Sequence, residues 1–294
     1  MTSLQHKGRL AAVILAAVIL CAGCDSSSPT VGAGLPVEPL NSASAQTQTA
    51  VPATNERLPV IPQAAASECV SLLPEQPIYN DDTARILAYQ ITQYCGPDGV
   101  SVSEFSDSVP LDYSTALKTA LYHTGAVLLP LEYSAKAGEY ACPAYPDHEL
   151  FRLFLLQSAP CEFFYRDDAM AKVEELFGED FLPASQEVLN PFPFTYYTKE
   201  EVFAKSIEEP SDTSFCPVIL SWRESGKRIC VTALMGNTQG ADCPITVGGI
   251  VCTAENIESL KAQNPLHSFT FEQQADGRLV LKGYQVVSFV PKDV

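Results

Sequence analysis

The sequence is poor in basic residues and contains no long apolar run. Its 294 residues include 18 Lys and Arg against 35 Asp and Glu, which gives a formal net charge of −17. A charge of this sign disfavours binding to nucleic acid and electrostatic docking on anionic lipid. No stretch of 18 or more apolar residues occurs, so the sequence predicts no membrane-spanning helix in the finished protein. Hydrophobic residues make up 46% of the chain, which is enough for a packed core.

Motifs that mark common catalytic sites are also absent from the sequence. The chain has no Gly-x-Ser-x-Gly elbow, no Ser-x-x-Lys, no His-Glu-x-x-His, no phosphate-binding glycine loop and no calcium-binding loop. We therefore expect a binding or assembly role rather than catalysis, and the sequence indicates no cofactor and no metal.

The N-terminal residues have the pattern of a signal peptide. Lys7 and Arg9 supply a basic start, and residues 10–20 are all apolar but too few to span a bilayer. The segment ends in Leu-Cys-Ala-Gly-Cys at residues 20–24 and is followed by Asp-Ser-Ser-Ser. This ending resembles the lipobox of bacterial lipoproteins, with Cys21 where that family usually has Leu.

The resemblance implies cleavage after Gly23 and acylation of Cys24 with chains such as palmitate. Two acyl chains already hold a protein stably at a membrane. The expected protein is a lipoprotein of the cell envelope that faces the periplasm and contacts the membrane through its N-terminal lipid. Asp25 resembles the signal that retains such proteins in the inner membrane, and the outer membrane is the alternative. An ordinary signal peptide cut nearby is the other alternative.

Residues 24–66 are predicted to be the lipidated cysteine and a tether ahead of the folded region. Residues 25–66 contain no aromatic residue, and 23 of these 42 residues are Pro, Ser, Thr or Ala. Such a segment buries too little apolar surface to offset the entropy lost on ordering. It is predicted to be a passive spacer, with a peptide motif read by a partner as the alternative. The folded region is predicted to divide into an α+β domain at 67–197 and a mainly β domain at 198–294.

The predicted fold class is α+β, with a helix-rich N-terminal part that also has strands and antiparallel hairpins in the C-terminal part. Apolar spacing and capping residues predict helices after Asn80–Asp82, over 113–121, from Asp167–Asp168, from Thr198–Glu201 and over 255–263. Apolar alternation predicts strands over 126–129, 150–156 and 162–166, and two hairpins that turn at Ser225–Gly226 and Asp276–Gly277.

Eight cysteines remain once the signal peptide is removed and Cys24 is acylated. They are Cys69, Cys95, Cys142, Cys161, Cys216, Cys230, Cys243 and Cys252. An even number of cysteines in an exported chain predicts that disulfide bonds staple the fold. Zinc is the less fitting alternative because these eight contain no Cys-x-x-Cys pair.

The expected connectivity follows from the predicted strands. Cys142–Cys161 is the first expected pair, because it would join the ends of adjoining strands. A turn at Ser225–Gly226 places Cys216 opposite residue 235 and Cys230 opposite residue 221, so these two cysteines are not neighbours. Cys216 is therefore expected to reach Cys243 or Cys252.

The predicted folded region contains three histidines that are candidates for functional groups. His123 ends a predicted helix, where a cation would favour the helix dipole, and we expect it to be a cap rather than a catalytic base. His148 lies between Asp147 and Glu149, so it is a candidate metal ligand or general base, with a structural role favoured. His267 precedes a predicted strand and has no chemical partner beside it in the sequence.

Acidic pairs and one aromatic segment complete the candidates. The acidic pairs are Asp167–Asp168, Glu174–Glu175, Glu179–Asp180, Glu200–Glu201 and Glu208–Glu209, and they are expected to form a solvated acidic surface. The candidate binding surface consists of Phe192, Phe194, Tyr196 and Tyr197, in a segment that also contains Pro191 and Pro193. Burial of the same residues between the two predicted domains is the alternative, and it is favoured.

These observations lead to one expected function and two alternatives. We expect a lipid-anchored protein that binds an envelope protein partner and performs no chemistry. The first alternative is a periplasmic hydrolase that works through Asp and Glu carboxylates. The second is a ligand-binding lipoprotein that serves a transporter.

Overall fold

The structure is a computed structural model that describes residues 56–181, 190–207 and 213–287. These residues pack into two compact units, one from 56–58 and 129–156 and the other from 59–128 and the described residues after 156. Helices and antiparallel strands are both present, so the predicted α+β class is confirmed.

The helices and strands of the described residues are short except in one sheet. The helices are Ala66–Ser71 (α1), Asp82–Thr92 (α2), Tyr113–Tyr122 (α3), Glu149–Leu155 (α4), Arg166–Phe177 (α5) and Ile257–Gln263 (α6), with a turn of 3-10 helix at Glu179–Phe181. The strands are Cys95–Gly96 (β1), Gly99–Val100 (β2), Glu132–Ser134 (β3), Glu139–Ala141 (β4), Cys161–Tyr165 (β5), Thr195–Tyr197 (β6), Val202–Ser206 (β7), Ser214–Ser225 (β8), Arg228–Thr238 (β9), Thr246–Val247 (β10), Ile250–Val251 (β11), Leu266–Gln273 (β12) and Leu279–Val287 (β13).

The best predicted helices begin at an aspartate that caps them. The Asp81 carboxylate accepts a hydrogen bond from the Ala84 backbone N–H at 2.8 Å, and Asp112 accepts one from Thr115 N–H at 2.9 Å. These caps satisfy backbone donors that the first turn of a helix leaves free. The residues buried from α2 are those that the apolar spacing predicted, namely Ala84, Leu87, Ala88 and Ile91.

The large sheet of the second unit is organised around strand β9. Its strand order is β11-β10-β9-β12-β13, and β8 pairs along the other side of β9. Both predicted hairpins of this region are confirmed, as β8–β9 and β12–β13. The first turns at Gly226–Lys227 rather than at Ser225–Gly226, because Ser225 is paired with Arg228 and Gly226 takes the left-handed backbone (φ 63°) that a tight hairpin needs.

The two faces of this sheet bury two hydrophobic cores. Val231 and Ala233 of β9 face the larger core, which also holds residues of α2, α3 and α5. Leu234, the next residue along β9, faces a smaller core with Val218 of β8 and Leu260 of α6. The alternation follows from the two-residue period of a strand. Both faces of β9 are therefore covered.

Two local predictions were wrong, and each error has a physical reason. Residues 150–156 were predicted as a strand but fall in α4, because an apolar run fits either a buried strand or a buried helix. The capping box at Thr198–Glu201 does not begin a helix. Glu201 has a left-handed backbone (φ 52°), and the chain then enters the strand β7 with Val202, Phe203 and Ala204 buried.

The domain boundary predicted at residue 66 falls at the start of α1, and the one predicted at residue 197 falls between two paired strands. Val60 forms a β-bridge with Val127, and the Leu128 N–H donates to the Pro59 carbonyl at 2.8 Å, so residues assigned to the tether pair with 127–128. The second boundary separates β6 from β7, although these strands are hydrogen-bonded neighbours in the sheet β5-β7-β6. Residues 126–129 were predicted to form a strand, but among them only Val127 forms a β-bridge.

The outer edge of β8 is closed by a side chain instead of another strand. Gln76 donates from Nε2 to the Pro217 carbonyl at 3.1 Å and accepts at Oε1 from the Ile219 N–H at 2.9 Å. The Tyr79 hydroxyl donates to the Leu220 carbonyl of the same strand at 2.7 Å. Gln76 is only 5% exposed, so its amide replaces the backbone of a neighbouring strand inside the protein.

We expect Gln76→Leu to lower the free energy of unfolding by about 3 kcal/mol, because it leaves a buried carbonyl and a buried N–H unpaired. Urea unfolding of the full chain measures the change. Gln263→Leu on the exposed side of α6 is the matched control and should change stability by less than about 0.5 kcal/mol. Equal effects of the two substitutions would contradict the role assigned to Gln76.

Candidate functional site

The predicted aromatic surface contains one strongly exposed ring. Phe192 is 86% exposed, whereas Phe194 is 2% exposed. The segment that carries them is held by the Phe194 N–H donating to the Pro191 carbonyl at 2.8 Å and the Tyr196 N–H donating to Asn190 Oδ1 at 2.6 Å. The Phe192–Pro193 peptide bond within this turn is cis. The turn therefore presents Phe192 from a backbone with internal hydrogen bonds.

The other three aromatic side chains hold the segment in place. Phe194 packs edge-on against Tyr122 and Phe164, with ring centroids 5.2 and 5.7 Å away. Tyr196 is half-buried, and its ring lies 4.9 Å from that of Phe203. Tyr197 is half-buried and donates its hydroxyl to Gln157 Oε1 at 3.0 Å. The structure thus separates the four candidates into one displayed ring and three packed ones.

Two lysines lie around the ring against which Phe194 packs. The ammonium groups of Lys118 and Lys205 are 5.9 and 5.5 Å from the centroid of the half-buried Tyr122 ring. Cations at this distance are attracted by the ring face. We call Phe192, Tyr122, Lys118 and Lys205 the Phe192 patch. The sequence did not indicate the two lysines, because they lie on α3 and β7 and only the fold places both beside one ring.

His148 serves as a helix cap. Its Nδ1 accepts a hydrogen bond from the Leu150 N–H at 3.1 Å, and its Nε2–H donates to the Glu56 carbonyl at 2.6 Å. Both ring nitrogens are therefore used, and the two bonds together assign the proton to Nε2. Within the part of the chain that the structure describes, no group of three or more His, Cys, Asp or Glu is arranged to hold a metal ion.

His123 occupies the predicted capping position but not as a cation. It is the residue that ends α3, and its Nε2–H donates to the Cys95 carbonyl at 2.9 Å. Burial lowers the pKa of His123, and Lys172 lowers it further, against the opposing effects of the Cys95 carbonyl and Glu175. The expectation that a charged imidazole acts on the helix dipole is therefore wrong.

His267 has a partner that the sequence did not indicate. Its Nδ1 and the Tyr284 hydroxyl form a hydrogen bond at 2.8 Å across the strands β12 and β13. Burial lowers the pKa of His267 and raises that of Tyr284. Both groups are consequently neutral near pH 7, and the pair joins two strands of the large sheet.

Part of the acidic surface converges on a cleft of about 270 Å³. Its charged lining residues are Glu174, Glu179, Asp180, Glu272, Arg278 and Lys282. The Lys282 ammonium also donates to the carbonyl of Phe177, the last residue of α5, at 3.3 Å. The hydrolase alternative would find its carboxylates here, although Glu179 and Asp180 are exposed.

The remaining acidic pairs lie elsewhere. Asp167 and Glu200 are close to the side chains of Arg166 and Lys199, at 3.5 and 3.8 Å, and Asp168 lies in the first turn of α5. The Glu175 carboxylate is 2.7 Å from the Lys172 ammonium. The side chains of Asp167 and Glu175 are 78% and 49% exposed, as expected of a solvated acidic surface, whereas that of Glu200 is 16% exposed. Glu208–Glu209 lie outside the described residues.

All eight cysteines of the folded region are free thiols in the structure. Cys216 is paired in register with Gly236, and Cys230 lies between Arg223 on β8 and Thr270 on β12, so these two cysteines are not neighbours, as predicted. The predicted register itself was wrong by one or two residues, because the hairpin turns later and β8 has a bulge after Ile219.

Cys216 and Cys252 are both buried in the smaller core of the second unit. Cys216 lies on β8 and Cys252 follows β11, with the strands β9 and β10 between β8 and β11 in the sheet. Cys142 and Cys161 belong to different compact units.

Comparison with protein-family models, with curated proteins and with solved structures finds no match for this chain. Among the described residues, no helix has the length and apolar character needed to cross a bilayer.

We expect acidification from pH 7 towards pH 5 to destabilise the protein through its buried histidines. An unfolded histidine binds a proton with a pKa near 6.5, while the folded pKa values of His123 and His267 are lower. The contribution of each neutral histidine to the free energy of unfolding is fully present above about pH 6.5. It is lost as the pH drops through the folded pKa value, by up to about 1.4 kcal/mol per pH unit for each group.

Urea unfolding of the full chain at several pH values measures this dependence. His123→Gln retains a donor for the Cys95 carbonyl and removes the titrating group, so it should make the dependence shallower. His267→Gln should do the same independently. An unchanged pH dependence in both variants would show that other groups control it.

Proposed function

We propose that this chain is a lipid-anchored protein of the bacterial cell envelope with a non-catalytic role in binding or assembly. Phe192 is the observation that carries the proposal. Burial of a phenylalanine side chain contributes about 1.5–3 kcal/mol, and the Phe192 ring is 86% exposed. A partner that covers it would gain this free energy.

The way in which Phe192 is held also favours binding. Its neighbours Phe194 and Tyr196 are packed against Tyr122 and Phe203, and their backbone N–H groups close the turn. A ring on a restrained turn loses less conformational entropy on binding than one on a free loop. The Phe192 side chain is thus prepared to act as an anchor residue.

The proposed anchor is the acyl group on Cys24, supported by the likeness of residues 20–24 to a lipobox. Attachment to one membrane concentrates the folded units near envelope partners, so weak contacts suffice for binding. The envelope location facing the periplasm rests on the same residues, and Asp25 favours the inner membrane over the outer one.

Site-specific crosslinking in living cells tests the binding role. The full chain carries benzoylphenylalanine in place of Phe192, and we expect irradiation to join it to one envelope protein in high yield. The same photoreactive residue in place of the exposed Val109, outside the Phe192 patch, is the matched control and should give little product. No product at 192, or the same products at both positions, would contradict the proposal.

We also propose that the exported protein contains disulfides, with Cys142–Cys161 and a bond from Cys216 to Cys243 or Cys252 as the candidate pairs. The oxidising compartment and the even number of thiols support this. Burial raises the pKa of the Cys161 and Cys216 thiols to about 12, so once buried they would form little of the thiolate that disulfide exchange requires. Oxidation by an exchange protein would therefore have to precede complete folding.

Peptide mapping of the mature protein, alkylated without reduction, tests the pairing. We expect a linked peptide that contains Cys142 and Cys161, and the exposed Cys230 alkylated, because its register neighbours are Arg223 and Thr270. Alkylation of all eight thiols would contradict the proposed disulfides.

A further inference from the structure

We propose that Asn190 is the positioning residue of Phe192, and that its side-chain oxygen holds the phenyl ring for entry into a shaped apolar pocket of a protein partner. This inference rests on the proposed binding role. Asn190 Oδ1 accepts the Tyr196 N–H at 2.6 Å, so it joins the two ends of the segment that carries the ring. We call residues 190–196 the Phe192 turn.

Two hydrogen bonds, one inside the other, close the Phe192 turn. The inner bond runs from the Phe194 N–H to the Pro191 carbonyl at 2.8 Å, and the outer one is the side-chain bond just described. Pro191 is buried and Pro193 is half-buried, and each pyrrolidine ring fixes the φ angle of its own residue. Between these prolines, Phe192 is 86% exposed. The turn therefore presents one ring from a backbone with few alternative conformations.

Asn190 also occupies the open edge of strand β6. Among the described residues, β6 is the last strand of the sheet β5-β7-β6. Backbone groups of an antiparallel strand point alternately to its two sides, and the Tyr196 N–H bonds to Asn190 rather than to its register partner Phe203. The amide oxygen thus takes the backbone donor that a foreign strand would need. A partner is therefore met by the phenyl ring rather than by strand addition.

The composition of the turn favours an uncharged contact. Residues 190–198 read Asn-Pro-Phe-Pro-Phe-Thr-Tyr-Tyr-Thr and contain no Asp, Glu, Lys or Arg, in a chain of which 18% is charged. A ring carried by such a segment gains free energy chiefly when its apolar surface is removed from water. An apolar pocket is the site that complements it.

A pocket in a protein fits the closed turn better than a lipid bilayer does. A pocket has a fixed shape, so a ring that is already held in one orientation loses less conformational entropy on entering it. The fluid interior of a bilayer accepts a ring in many orientations, and the bond made by Asn190 would give no advantage there. The net charge of −17 also opposes close approach to anionic lipid.

Amide exchange and crosslinking of the full mature chain test the proposal. Asn190→Ala removes the acceptor oxygen, whereas Asn190→Asp keeps one. In phosphatidylcholine nanodiscs, mass spectrometry should show the Tyr196 amide exchanging about two- to tenfold faster in Asn190→Ala and at the original rate in Asn190→Asp. In living cells, benzoylphenylalanine at position 192 should give about two- to tenfold less protein adduct in Asn190→Ala and the full yield in Asn190→Asp.

Asn256→Ala is the matched control for this experiment. Asn256 Oδ1 also accepts a backbone N–H, that of Thr253 at 2.9 Å, but it lies outside the Phe192 turn. The control should leave the Tyr196 exchange rate and the adduct yield unchanged, and circular dichroism checks that every variant is folded. An unchanged Tyr196 exchange rate in Asn190→Ala, or an equal loss of adduct in both Asn190 variants, would overturn the proposal.

Two further outcomes distinguish this inference from the proposed function. If the adduct yield is the same in every Asn190 form although the Tyr196 amide exchanges faster in Asn190→Ala, the binding role stands and Asn190 does not position the ring. If benzoylphenylalanine at position 192 captures lipid and no protein in cells, the ring is a membrane contact and both proposals fail.

Discussion

Strand β9 carries the main constraint on this fold, because it is paired along both edges and covered on both faces. β8 pairs along one edge, and β12 and β10 share the other. On its two faces, Val231 and Leu234 enter different cores. A strand used in this way must keep its register, since a slip by one residue would exchange the two faces. The outer edge of β8 then needs its own cover, which the Gln76 amide supplies.

The larger core built on β9 also determines where the Phe192 patch forms. Helix α3 packs against α5, and Leu117 and Leu121 of α3 are buried in that core. On the same helix, Lys118 and Tyr122 remain half-buried at its margin, where Lys205 of β7 and Phe194 meet them. The patch is therefore made from residues next to core positions, and its Tyr122 ring packs against that core.

The sequence predicted elements whose signal is local and missed those that depend on distant contacts. The Asp81 cap and the apolar spacing after it define α2 within a few residues of chain. The capping box at Thr198–Glu201 is equally local, but the strand pairing of β7 with β5 and β6 overrides it. Nothing near Lys205 or Gln76 in the sequence indicates their partners, Tyr122 and the Pro217 carbonyl, which lie 83 and 141 residues away. The sequence therefore predicted an aromatic segment, but it did not predict an aromatic ring flanked by lysines.

The separation of Phe192 from Phe194 has a simple physical basis that connects sequence to function. Residues two apart in an extended chain usually face the same side, and both rings would then be buried or both exposed. The turn closed by the Phe194 N–H and the Pro191 carbonyl breaks that relation and sends one ring into the core and the other into solvent. Phe194 thereby stabilises the turn, and Phe192 is left available for a partner.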